Sequence, residues 1–149
     1  MKYPSDIDLA WIASDRDGRL GAFITAGCGP IPMEAFAIDL TEMTSIEARI
    51  DEVPVVSKAN LLVTVNRPDS YITLAERGFY VFDWTDIHGT RPPLHAYELV
   101  AKPEQPAGLG SLPSDLALIA AGIQFWADFG SAPYFDVRAY KTCVEVRQP

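Results

Sequence analysis

The chain contains no apolar run of the roughly 18 residues that a membrane-spanning helix needs. The stretch from Met1 to Asp8 also lacks the apolar core of a secretory signal. These absences lead us to expect a cytoplasmic protein with no membrane partner. Cysteine is scarce, with only Cys28 and Cys143, and without a secretory signal the two read as reduced thiols and not as a disulfide. Bases are also in deficit: twelve Lys and Arg stand against twenty Asp and Glu, a formal net charge of −8. That balance repels nucleic-acid phosphate and argues against nucleic acid as a partner. A Gly-x-Gly-x-x-Gly run, a Walker-type Gly-Lys-Ser/Thr and a Gly-x-Ser-x-Gly elbow are all missing, which removes the common nucleotide and hydrolase fingerprints. No internal repeat or low-complexity tract occurs, so solenoid folds drop out.

What remains is the composition of a packed protein. Of 149 residues, 48% are apolar and 21% charged, enough to build one core without metal or disulfide staples, so residues 1–149 read as a single domain. The charge is uneven: residues 1–52 hold ten acids and four bases, whereas residues 53–149 hold ten acids and eight bases. The negative field is mainly N-terminal.

Apolar alternation over Ile7 to Ser14 and over Leu20 to Thr25 predicts two strands. Between them, Asp15-Arg16-Asp17-Gly18 supplies turn-forming aspartates and a glycine able to take positive φ, so the pair should close as an antiparallel hairpin. Two glycines and two prolines between Ala26 and Pro32 predict a loop. Met43, Ile46, Ile50 and Val53 then recur at helical spacing until Pro54, and the helix starts either near Thr41 or at a capping box on Thr44.

Further strands are expected over Leu61 to Val65, Phe79 to Trp84, His95 to Lys102, Ile123 to Phe129 and Phe135 to Tyr140, with a last edge over Cys143 to Val146. Short helices should follow Pro68, closing at Gly78, and Ser114, closing at Gly122. The Pro- and Gly-rich stretch from Lys102 to Pro113 reads as an extended surface connection. The sum is an α+β fold: one mixed, mostly antiparallel sheet beginning with a β-hairpin, carrying two or three helices.

Two blocks carry a family resemblance. Trp11-Ile12-Ala13-Ser14-Asp15-Arg16-Asp17-Gly18 with Thr25-Ala26-Gly27 and Gly29-Pro30-Ile31-Pro32 is one. Ala75-Glu76-Arg77-Gly78-Phe79-Tyr80-Val81-Phe82-Asp83-Trp84-Thr85-Asp86-Ile87-His88 is the other. Together they resemble a family of small uncharacterised bacterial proteins, loosely similar to the acidic immunity-type proteins of bacterial toxin systems. The resemblance implies a binding role.

Several residue groups could carry chemistry. Asp15-x-Asp17 opens like a calcium loop, but no later ligands follow, so a plain turn is the reading. Cys28, between Gly27 and Gly29, is placed where a nucleophile could meet backbone N–H groups arranged as an oxyanion hole. The alternative is a small residue packed beneath a glycine loop. Asp83, Asp86 and His88 put two carboxylates and an imidazole at the end of an aromatic strand, suited to acid–base work, or else to capping a turn. His88 and His95 do not share a zinc-ligand spacing, and neither metal nor cofactor is expected.

Glu42, Glu47, Asp51 and Glu52 flank the apolar stripe of the first helix and give it an acidic outer face. Such a face is either solvated or a docking surface for a basic partner. The leading expectation is a non-enzymatic interaction module of the immunity or inhibitor-like kind, binding a basic partner through Glu42, Glu47, Asp51 and exposed aromatics near Trp84 and Trp126. The rival is a small enzyme whose pocket joins the Gly27–Pro32 loop to the Asp83–His88 cluster. A homodimer paired through an edge strand is the third reading.

Overall fold

The computed structural model describes residues 2–84 and 96–146. Its elements run β1 (Ala10–Ser14), β2 (Leu20–Ile24), β3 (Ile31–Pro32), α1 (Leu40–Asp51), β4 (Ala59–Leu61), α2 (Asp69–Glu76), β5 (Phe79–Trp84), β6 (Tyr97–Pro103), α3 (Ser114–Ala121), β7 (Tyr134–Phe135) and β8 (Cys143–Val144). The architecture is the expected α+β one. A mixed sheet runs in the order β1-β2-β5-β6-β4, with β7 also on β6, and β3 pairs β8 in a separate ribbon. Among the described strands of the main sheet, β2 and β5 pair parallel and the other neighbours pair antiparallel.

The hairpin forms as its turn residues predict. Gly18 takes φ +76°, the left-handed region that side chains with a Cβ avoid. Asp15 is fully buried. Its carboxylate accepts from the amides of Asp17 and Arg19, both at 2.9 Å, and from that of Phe129 at 3.2 Å. The turn aspartate therefore also pins the distant C-terminal segment, a role its local sequence does not announce.

Strands β1, β2 and β5 are buried on both faces, without an exposed residue. On one face α1, α2 and α3 lay Ile46, Ile50, Leu74 and Leu116 against Ile12, Leu20, Ala22 and Val81. On the other lies an aromatic core. Cross-strand register sets Trp11 level with Phe23 and Phe23 level with Phe82. Their rings stack at centroid distances of 4.1 and 4.6 Å, pairs that add about 0.5–1.5 kcal/mol each beyond area burial. Phe125, Phe129 and Phe135 from the C-terminal segment close over this ladder.

Several boundaries differ from expectation. The helix α1 begins at Leu40 because Asp39 caps it, accepting from the amide of Glu42. Thr44, the start of the alternative box, and its neighbour Ser45 instead donate back to the carbonyls of Thr41 and Glu42 inside the helix. The third strand is earlier than Leu61 to Val65, since only Ala59–Leu61 pairs with β6. Ile31-Pro32, assigned to the loop, forms a two-residue strand opposite Cys143-Val144. Proline is tolerated there because the ribbon is only two strands wide and both of its strands are edges.

The largest corrections lie near the C-terminus. Ile123 to Phe129 is no strand. Ser14 donates to the Ile123 carbonyl and accepts from the Phe125 amide, and the chain then turns away through Asp128 to seat Phe125 and Phe129 in the core. Phe135 to Tyr140 is cut short after Phe135 because Asp136 accepts from the Arg138 amide and starts a 3-10 turn over Val137–Ala139. In both stretches the apolar residues serve the aromatic core, and only Phe135 also takes part in a ladder, opposite Tyr97 of β6.

Candidate functional site

Parallel pairing of β2 with β5 sets Ile24 level with Asp83. The C-terminal ends of these two strands therefore lie at the same edge of the sheet. The approach to β1 reaches this edge as well, because β1 runs antiparallel to β2 and the Leu9 carbonyl accepts from the Thr25 amide. So does the start of β6, where Tyr97 is level with Trp84.

The loop after β2 is held throughout. Thr25 is fully buried. Its carbonyl accepts from the amides of Cys28 and Gly29, and its hydroxyl accepts from that of Gly27. Ala26, at φ +51°, gives its amide to the Asp8 carboxylate. Tyr3 then donates its hydroxyl to the Gly29 carbonyl, and Tyr97 donates to that of Pro30. A Cβ on Gly29 would run into the Tyr97 hydroxyl and come within 3.2 Å of the Trp84 Cβ, so this glycine lets the loop lie against the strand ends.

Cys28 is exposed at the loop apex, not packed beneath the glycines as the structural alternative had it. The amides from Ala26 to Gly29 are all engaged inside the protein, so the loop offers none of them to an oxyanion in this conformation. Cys143, the other free thiol, is half-buried, and burial together with Glu145 pushes its pKa up to about 12.

At the end of β5, Asp83 is buried and Tyr71 on α2 donates its hydroxyl to it. Burial, and then this bond to Asp83, hold the Tyr71 hydroxyl well above the usual phenol range, with Asp8 and Glu98 acting in the same direction. Glu98 is level with Asp83 across β6. The site is therefore a run of acids, Asp8, Asp83 and Glu98, around one tyrosine. Asp8 and Tyr71 went unnoticed in the sequence because their neighbours come from remote segments and no spacing joins them. Asp86, His88 and His95 lie outside the described residues. Among the described residues no three His, Cys, Asp or Glu side chains gather closely enough to hold a metal ion.

The acidic helix is laid out as its periodicity implies. Met43, Ile46 and Ile50 are buried while Glu42 and Asp51 are exposed. Glu47 is half-buried, and its pKa is raised by burial first, then by Asp51 and Asp8. Arg49 on this helix is engaged by Asp115 of α3. Trp84 is not an exposed aromatic. It is buried against Tyr97 because its row of the sheet faces the aromatic core. Trp126, in contrast, is 78% exposed.

Comparisons with protein families, with curated proteins and with solved structures find no match for this chain.

Proposed function

We propose that the chain is a non-enzymatic binding module that recognises a basic protein partner through the acidic outer face of α1, in the manner of an immunity or inhibitor protein. The observation that carries this reading is the layout of α1, with Glu42 and Asp51 exposed and Glu47 half-buried beside the buried Met43, Ile46 and Ile50; burial first, then Asp51 and Asp8, disfavour the charged form of Glu47. The one base on this helix, Arg49, is already engaged by Asp115. A cationic side chain from a partner would favour the charged form of Glu47, and the surrounding negative field would steer it in. With Trp84 buried, the contact rests on Glu42, Glu47 and Asp51.

The test is association of the wild-type chain and the Glu42→Lys, Glu47→Lys, Asp51→Lys triple variant with a partner captured from the native host, across a salt series. Wild type should associate faster at low ionic strength, with the gap closing as salt screens it. Equal rates at low salt would remove α1 as the recognition surface.

A second reading, a small enzyme joining the Gly27–Pro32 loop to the Asp83–His88 cluster, draws support from the shared edge of β2 and β5. Engagement of the loop amides by Thr25 and Asp8 weighs against it.

A further inference from the structure

We draw no further inference here: the strongest candidate, the outer edge of the main sheet at β4 with the exposed apolar side chains of Val55, Val56, Leu61 and Leu62, carries nothing because nothing in the structure shows what covers it.

Discussion

Tyr97 and Pro30 are 67 residues apart in sequence, yet the tyrosine hydroxyl donates to the proline carbonyl at 2.8 Å inside the core. The same hydroxyl accepts from the Trp11 indole at 3.2 Å. One buried oxygen thus ties the loop after β2 to the first strand of the aromatic ladder and to β6.

Removing that oxygen leaves a buried carbonyl and a buried indole N–H unsatisfied, each of which carries a desolvation cost. Tyr97→Phe is therefore expected to lose about 1–3 kcal/mol of stability. Chemical denaturation measures it, and an unchanged midpoint with unchanged slope would show that the loop is held by its other bonds alone.

Gly18 tests the turn. A Cβ there meets nothing within 4 Å, so crowding is absent and only the backbone conformation at φ +76° matters. Gly18→Val should cost about 1–3 kcal/mol, and Gly18→Asn markedly less, since asparagine tolerates this region. Equal melting temperatures for the two variants would contradict the assignment of strain to φ.

Glu47 gives a pH dependence with a definite sign. Its folded pKa is raised by burial and by neighbouring acids, so the folded state holds its proton to higher pH than the unfolded chain does. Stability is lost as pH rises from the ordinary glutamate range through the folded value. Glu47→Gln should therefore melt above wild type at pH 7, with the difference vanishing below about pH 4. A Gln variant less stable than wild type at neutral pH would reverse the sign and mark Glu47 as locally compensated.

Local signals in the chain were sufficient for what local physics controls. Gly18 and its aspartates specify the hairpin because the turn conformation admits few residues. The spacing of Met43, Ile46 and Ile50 specifies α1 and its buried face because a helix repeats every 3.6 residues. Gly78 at φ +95° ends α2 as expected. The C-terminal aromatics were misread as strands for a physical reason. Apolar richness reports burial, and Phe125 and Phe129 are buried by irregular backbone that no ladder supports.

The sequence by itself determined the class of fold, the hairpin, the helix faces and the acidic balance, since each depends on neighbours a few positions apart. Tertiary structure decided the rest. It buried Trp84, exposed Cys28 while engaging every amide around it, and brought Asp8 and Glu98 near Tyr71 and Asp83. These outcomes follow from strand order and the parallel β2–β5 pairing, which join segments about 60 residues apart. No local spacing encodes which remote strand will supply the missing hydrogen bonds.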